Sequence, residues 1–352
     1  MIPHSRPTLG QAEIEQVVKV LESGHIAQGE RVHAFEQEFA RRHGLDNALC
    51  ASSGTAALHL VLLALKIGPK NEVIIPSYVC SALLNAVRYV GATPVPAEID
   101  PETYNLAPAD VKKRLTKRTR AIIVPHLFGL AADLEGFSEL DIPIIEDCAQ
   151  ATGATYKHKP VGTFGKAAIF SFYATKVMTT GEGGMIVTNS REIIDYARDF
   201  REYDKTETDK IRFNYKMTDI QAAIGLAQLE RLESFIRRRR TIAQKYQKAL
   251  SSIGFRLPPE DPEHIYFRYV IDLGTDSAPM IRGLKGKGIQ SARPIHTPLH
   301  RYLRRDGYPK TDEAWNQCLS IPIYPSLTDQ EIKRVIKSVT ETYEEVSRAG
   351  NS

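Results

Sequence analysis

The sequence predicts an α/β protein with a mostly parallel, seven-stranded sheet, followed by a small α+β C-terminal domain. From about residue 47, short apolar segments alternate with longer helical ones, which is typical of strands joined by helical crossovers. Several short segments are apolar throughout, as expected for strands covered on both faces. The alternation ends near residue 235, so we predict a large domain over residues 1–235 and a small domain over residues 236–352.

Seven segments carry the strand pattern of the large domain. They are Ala48–Ala51, Val73–Pro76, Pro94–Ile99, Ala121–Pro125, Pro143–Glu146, Ala167–Phe172 and Gly184–Thr188. The spacing of apolar residues predicts helices over 11–23 and 218–232, the second continuing well beyond that range. In the small domain, residues 266–273 resemble a strand, and Thr328 with Glu331 forms a capping-box pattern before a final helix.

Composition excludes several classes of protein. The chain has 352 residues, of which 42% are hydrophobic and 25% charged, and it has no apolar run near 18 residues that would predict a membrane span. The first residues lack the apolar core of a signal peptide, so we expect a cytoplasmic protein. Four scattered cysteines form no CxxC pair and predict neither a zinc site nor a disulfide framework.

The charge pattern gives no sign of nucleic-acid binding. The net charge is +4, and the densest basic run, Arg237–Arg240, lies in a helical stretch. A solvated helix face explains this run, because nucleic-acid binding needs a wider basic surface and a recognisable module.

A first candidate for function is the segment that links a strand to the helix starting near residue 54. A helix start offers free backbone N–H groups and the positive end of the helix dipole, which suit a phosphate. Gly54 allows a ligand to approach the backbone, and Thr55 adds a hydroxyl group. An ordinary helix cap explains the same residues equally well.

Glu146 and Asp147 are a second candidate, because they end a predicted strand. In open α/β sheets, ligands bind beyond the carboxyl ends of the strands. The alternatives are a helix cap, a surface ion pair or a metal site, although no set of His or Cys partners supports a metal.

Lys176 is the third candidate. It lies between a predicted buried strand and a glycine-rich turn, Gly181-Glu182-Gly183-Gly184. Most lysines are simply solvated. However, an amine beside a phosphate site and a carboxylate is the arrangement that pyridoxal phosphate (PLP) chemistry requires.

Taken together, these motifs resemble the DegT/DnrJ/EryC1/StrS aminotransferases, sugar aminotransferases of PLP fold type I. The resemblance covers nearly the whole chain. Its stretches are G-x-x-x-x-G-x-x-V-x-x-FE (24–36), SSGTAALHL (52–60), EVIIPSYVCSA (72–82), IIEDCAQA (144–151), FGKAAIFSFYATKVMTTGEGGMIVT (164–188), FNYKMTDIQAAIGLAQLERL (213–232), PLH (298–300) and LSIPIYPSLTDQEI (319–332).

The resemblance implies a role for each matching residue. Lys176 corresponds to the lysine that holds PLP as a Schiff base and moves protons, and Asp147 to the partner of the pyridinium nitrogen. Gln150 corresponds to a contact of the ring or its 3′-oxygen. The remaining cofactor contacts correspond to Gly54, Thr55 and Ser171 at the phosphate, and to Asn214, which reaches the phosphate of a neighbouring subunit. A homodimer with shared active sites is therefore implied.

Two departures from the family pattern concern the ring and the substrate. Many relatives place an aromatic residue at the position of Cys80 to stack on the cofactor ring, so either Cys80 or Tyr78 takes that place here. Many relatives read HYxPLH where this chain reads RPIHTPLH (293–300), a version that resembles members acting on N-acetylated UDP-sugars. The candidate substrate residues are Tyr78, Arg293, His296 and Tyr324.

The resemblance implies ping-pong transamination. L-glutamate would convert PLP to pyridoxamine phosphate (PMP), which would then aminate a keto sugar linked to UDP or dTDP. Three alternatives stay open: a sugar dehydratase of the same family, a non-catalytic regulator, and an aminotransferase acting on a keto-cyclitol or another keto compound. The dehydratases carry histidine in place of the lysine, so Lys176 argues against the first.

Overall fold

The computed structural model describes residues 1–204 and 207–350. Its strands are β1 (Asn47–Ala51), β2 (Glu72–Pro76), β3 (Thr93–Ala97), β4 (Thr119–Pro125), β5 (Ile144–Asp147), β6 (Thr155–Tyr156), β7 (Lys159–Pro160), β8 (Ala167–Ser171), β9 (Gly184–Thr188), β10 (Tyr269–Asp272) and β11 (Cys318–Ile321). Seven of them form one sheet in the order β1-β9-β8-β5-β4-β2-β3. Strand β9 runs antiparallel to both of its neighbours and the other pairs are parallel, so the predicted α/β fold is confirmed.

The helices are α1 (Gln11–Ser23), α2 (Glu30–His43), α3 (Gly54–Ala64), α4 (Ser81–Tyr89), α5 (Pro108–Arg114), α6 (Arg191–Arg201), α7 (Asp219–Leu250), α8 (Ala278–Gly286), α9 (Leu299–Tyr302), α10 (Pro309–Gln317) and α11 (Asp329–Gly350). The capping box of Thr328 and Glu331 forms at the start of α11, as predicted. Among the described residues, no helix combines the length and the apolar character needed to cross a membrane.

Helices cover both faces of the large sheet, which explains its continuous apolar strands. Alternate residues of one strand enter different cores. Ile169 of β8 lies in the cluster that contains α3 and α4, whereas Phe170 lies in the cluster that contains α2 and the first half of α7. Both side chains are at most 2% exposed.

The predicted division near residue 235 falls inside α7, a single helix of 32 residues. The second half of α7 packs with β10, β11, α8 and α11 in a separate cluster, which also includes Ile2. Ile2 forms a parallel bridge with Ile289, so the first residues of the chain pack against its C-terminal part. The domain boundary itself stays a prediction.

Helix α1 confirms the predicted helical period, but its apolar stripe points outward. Ile14, Val18 and Leu21 are 57%, 43% and 55% exposed, respectively. The helix packs against α7 through a different face, which buries Glu13 and Val20. The stripe is therefore an apolar surface in the single chain.

Candidate active site

The start of α3 and the end of β8 form a cradle for an anion. Ser53 caps α3 by accepting the Ala56 N–H at 3.1 Å. Within the described chain, the N–H groups of Gly54 and Thr55 and the Ser171 hydroxyl have no hydrogen-bond partner. A Cβ atom at Gly54 would lie 2.8 Å from the Ser171 Cβ, so only glycine allows these elements to approach so closely.

The glycine-rich turn after Lys176 fixes β9 against the cradle. Gly184, the first residue of β9, packs on the backbone of Ser53 and Gly54 so closely that a side chain would collide with it. Gly181 has φ +82°, which favours glycine. The turn that follows Lys176 is thus held against the start of α3 by its last glycine.

Asp147 is the last residue of β5 and is 6% exposed. Its carboxylate accepts one hydrogen bond from the described residues, the Ala149 N–H at 3.0 Å. Burial raises the pKa of Asp147, and the nearby Lys176 only partly opposes this shift. A cationic N–H group that donates a hydrogen bond to the Asp147 carboxylate would stabilise its ionised form.

Lys176 is half-buried, with its Nζ 5.3 Å from the centroid of the Phe267 ring. Desolvation by the surrounding protein atoms lowers the pKa of its amine, and the Arg268 guanidinium lowers it further, although Cys80 and Asp147 act in the opposite direction. The shift increases the neutral fraction of the amine, which is the form that can attack a carbonyl carbon or accept a proton.

Gln150 contributes an oriented amide. Its Oε1 accepts the Phe128 N–H at 2.9 Å, and its NH₂ group makes no hydrogen bond with any residue that the structure describes. Phe128 has a positive φ of 59°, so the backbone turns sharply to present this N–H.

Of Tyr78 and Cys80, the two residues predicted to pack against the cofactor ring, only Cys80 has an exposed surface. Tyr78 is 0% exposed; its ring lies against those of Tyr104 and Phe128, and its hydroxyl donates to the Ala314 carbonyl at 3.3 Å. Cys80 is exposed at the start of α4 and lies close enough to Lys176 to affect its charge.

The other predicted substrate residues differ in accessibility. Arg293 is half-buried, donates to Asp276 Oδ1 at 2.7 Å and stacks 4.2 Å from the centroid of Trp315. His296 is exposed. Tyr324 is 0% exposed, and its hydroxyl has no partner in the part of the chain that the structure describes.

Asn214 is exposed and lies next to Tyr215, whose carbonyl accepts the Ser52 N–H at 2.7 Å. This contact holds the Asn214 segment beside the cradle of the same chain. The exposed side chain of Asn214 is accessible to a second copy of the protein.

Glu146 has a structural environment that the sequence did not reveal. His126, Glu146 and Cys148 bring possible ligand atoms within 4.8 Å of one another, although no His or Cys partner was expected. Glu146 already accepts the N–H groups of Gly162, Phe164 and Gly165 at 2.6–2.8 Å. His126 Nδ1 accepts the Ala132 N–H, so its Nε2 carries the proton and donates to Glu146. These hydrogen bonds use both carboxylate oxygens of Glu146 and both ring nitrogens of His126, which a metal would need as ligands.

Arg268 and His4 were missed by the sequence reasoning. The Arg268 guanidinium lies 5.3 Å from the centroid of the same Phe267 ring that Lys176 approaches, and it donates to His4. A lone cation inside the apolar strand-like stretch 266–273 was the available signal. Nothing in the sequence pointed to His4, which is 264 positions away from Arg268.

The groups described here fit pyridoxal phosphate. Unpartnered N–H groups at a helix start suit its phosphate, the buried Asp147 carboxylate suits its protonated ring nitrogen, and the Lys176 amine suits its aldehyde. Fold and site together define a PLP-dependent aminotransferase of fold type I.

Comparison with known proteins gives the family. The model of the DegT/DnrJ/EryC1/StrS aminotransferase family matches residues 7–340, and the chain belongs to this family. It is 37% identical to GDP-perosamine synthase of Escherichia coli O157:H7, over 97% of this chain and 98% of that protein.

Two solved structures share the fold over almost their whole length. The aminotransferase TlmJ from Streptoalloteichus hindustanus has a TM-score of 0.94 and 32% identity, covering 99% of this chain and 100% of that one. DesV from S. venezuelae, in complex with a ketimine intermediate, has a TM-score of 0.89 and 33% identity, covering 94% of each chain. The predicted enzyme class, fold and cofactor are therefore confirmed.

Proposed function

We propose that this enzyme transfers the amino group of L-glutamate to a keto sugar linked to a nucleotide. The observation that carries the proposal is the meeting of Lys176, Asp147 and the Gly54 cradle at one edge of the sheet. The similarity to GDP-perosamine synthase, whose name specifies a nucleotide-linked amino sugar, supports this class of acceptor.

Each residue of the site has a proposed task. When bound, the cofactor supplies an electron sink that stabilises negative charge at the carbon losing its proton. Lys176 Nζ would accept that proton and deliver it to the carbon on the other side of the shared nitrogen, a task that its lowered pKa favours. Asp147 holds the proton on the ring nitrogen, and this cation in turn favours the ionised carboxylate. Gly54, Thr55 and Ser171 bind the phosphate.

We further propose that the enzyme works as a homodimer in which Asn214 reaches the phosphate of the neighbouring subunit. The exposure of Asn214 supports this arrangement, and so does the outward apolar stripe of α1. Gln150 donates its free NH₂ group to the 3′-oxygen of the ring, and Cys80 lies against the ring. We propose Arg293 and His296 as residues that line the sugar site.

Replacing Lys176 tests the proposed attachment. Wild type and Lys176→Ala are incubated with PLP and reduced with borohydride, and the modified peptide is located by mass spectrometry. We expect the cofactor mass on the Lys176 peptide in the wild type and none in the variant, which also loses transamination. The exposed Lys166 provides the matched control, because Lys166→Ala should retain both. Labelling of another lysine in the wild type would contradict the assignment.

The acceptor is tested with ¹⁵N-glutamate. The wild-type enzyme is supplied with keto sugars linked to GDP, UDP or dTDP and, separately, with a keto-cyclitol. We expect a ¹⁵N-labelled amino sugar nucleotide, detected by mass spectrometry. Amination of the cyclitol alone would exclude the nucleotide-sugar acceptor while leaving the aminotransferase class intact.

A further inference from the structure

Arg268 is a cation at the active site without an anion. Within residues 1–204 and 207–350, no carboxylate lies within 4.0 Å of its guanidinium. Its Nη1 contacts the two ring nitrogens of His4 at 3.1 and 3.2 Å, and its Nε and Nη2 atoms make no hydrogen bond with the described residues. Because Nε and Nη2 form the side-on fork of the guanidinium, the edge that binds carboxylates bidentately is free.

The imidazole beside Arg268 does not neutralise it. Burial lowers the pKa of His4 to about 3, and the Arg268 charge contributes to this shift. The ring is therefore neutral at physiological pH and acts as an acceptor. His4 Nε2 also lies 2.8 Å from the Ser320 hydroxyl, which fixes the orientation of the ring. His4 thus directs Nη1 and leaves the positive charge available to a ligand.

Structural contacts explain two neighbouring arginines, the buried Arg239 and the exposed Arg256, but not the half-buried Arg268. Arg239, 2% exposed, donates from Nη1 to the carbonyls of Tyr266, Phe267 and Ile323. Arg256 is paired with Asp272. The Nε and Nη2 atoms of Arg268 have neither carbonyl nor carboxylate partners among the described residues. Desolvation nevertheless makes the charge of Arg268 costly and lowers its pKa to about 10. An unpaired cation in such surroundings is costly, which is typical of a group that waits for an anionic ligand.

The position of Arg268 relates it to the reacting amine. Its Cζ and the Lys176 Nζ each lie 5.3 Å from the centroid of the Phe267 ring, so they are separated by no more than twice that distance. A dicarboxylic amino acid whose nitrogen reacts at the position of Lys176 can place a carboxylate within this span.

We propose that Arg268 binds a carboxylate of the amino donor and that His4 is its positioning residue. This inference rests on the proposed transaminase function and names the donor subsite of the same active site. The ligand class is a dicarboxylic amino acid, recognised through the free Nε/Nη2 edge.

Binding of glutarate tests the subsite without turnover. Wild type, Arg268→Gln and the control Arg237→Gln, which changes an exposed arginine of α7, are loaded with PLP and titrated by calorimetry. We expect the Kd for glutarate to rise by about 10- to 100-fold in Arg268→Gln, as expected for loss of a bidentate charge-assisted pair, and to stay unchanged in the control. Uncharged glutaramide should not distinguish the proteins. Equal binding of glutarate by wild type and Arg268→Gln would overturn the proposal.

Separating the two halves of the reaction gives the second readout. The donor half is followed with glutamate and the PLP-loaded enzyme, and the acceptor half with the PMP-loaded enzyme and a keto sugar nucleotide. We expect Arg268→Gln to slow only the donor half. Slowing of the acceptor half alone, or of both halves equally, would contradict the donor assignment. If wild type bound glutarate through Arg268 but converted no amino acid, the proposed function would fail and the anion site would stand.

Two further variants separate binding from folding and positioning. Arg268→Gln should unfold at the same temperature as wild type or higher, because it removes an unpaired cation; a large loss of stability would indicate a structural role.

His4→Gln, which keeps an acceptor, should retain a donor KM closer to the wild-type value than His4→Leu, with kcat little changed in either. Identical donor kinetics in His4→Leu and wild type would exclude positioning by His4.

Discussion

At the scale of single residues, the site depends on groups that local structure leaves without partners. Among residues 1–204 and 207–350, the N–H groups of Gly54 and Thr55 and the Nε/Nη2 edge of Arg268 find no hydrogen-bond partner, and the Asp147 carboxylate finds only one, whereas most polar groups away from water are paired. Such groups destabilise an empty protein and stabilise a complex. All of these groups belong to the proposed active site around Lys176.

Gly54 provides a prediction at this scale. We expect Gly54→Ala to weaken PLP binding by about 10-fold or more, because its Cβ would lie 2.8 Å from the Ser171 Cβ and force α3 away from β8. Cofactor affinity is measured by fluorescence titration of the apo protein. Gly286→Ala is the matched control, since no atom lies within 4 Å of its Cβ position, and it should bind PLP normally. Equal affinity in both variants would mean that the cradle tolerates the displacement.

At the scale of elements, Glu146 connects β5 to the segment before β8. Its carboxylate collects three backbone N–H groups and the His126 Nε2–H while its neighbour Asp147 faces the site. Burial alone would raise the pKa of Glu146, but His126 and the N–H groups of Gly162 and Gly165 hold it below the ordinary value of 4.5. The end of β5 thus carries Glu146, which holds neighbouring backbone in place, next to Asp147, the proposed partner of the cofactor ring.

The prediction for Glu146 concerns pH. A depressed folded-state pKa contributes stability that is present above about pH 4.5 and lost as the pH falls through the folded-state value. We expect Glu146→Gln to lower the free energy of unfolding by about 1–3 kcal/mol at pH 7. The difference from wild type should shrink below pH 4, as measured by urea unfolding of the apo protein. Glu135→Gln, at an exposed ion pair, should change stability by less than about 0.5 kcal/mol. A difference that persists at low pH would refute this explanation.

At the scale of the whole molecule, the predictions concern assembly. The apolar stripe of α1 is continued by Leu9 and Ile26, which are 56% and 49% exposed. Exposed apolar side chains grouped on one helix face are typical of an interface rather than of a free surface. The proposed homodimer would cover this stripe.

Val18→Asp tests the assembly. We expect the variant to be monomeric in sedimentation experiments and to bind PLP more weakly, since Asn214 of the second subunit would be missing from the phosphate. Ala12→Asp, at an exposed residue on another side of α1, should remain dimeric. A dimeric Val18→Asp protein would place the interface elsewhere.

The fold class and the local motifs follow from the order of the amino acids alone. Short apolar segments and the helical period of about 3.6 residues, together with glycine and capping residues, specify strands, helices and turns locally, so all seven strands of the large sheet and the start of α11 were predictable. The same local patterns identified the Gly54 helix start, Asp147 and Lys176.

Contacts between residues that are distant in the sequence became known only from the folded chain. It placed Tyr78 in the core and left Cys80 exposed at the start of α4, turned the stripe of α1 outward, and brought His4 to Arg268 across 264 positions. Pairings of this kind depend on the order of strands in the sheet and on packing between elements, neither of which leaves a periodic signal in the sequence. Local motifs were therefore enough to suggest the candidate site around Lys176, while the proposed donor subsite emerged only from the folded chain.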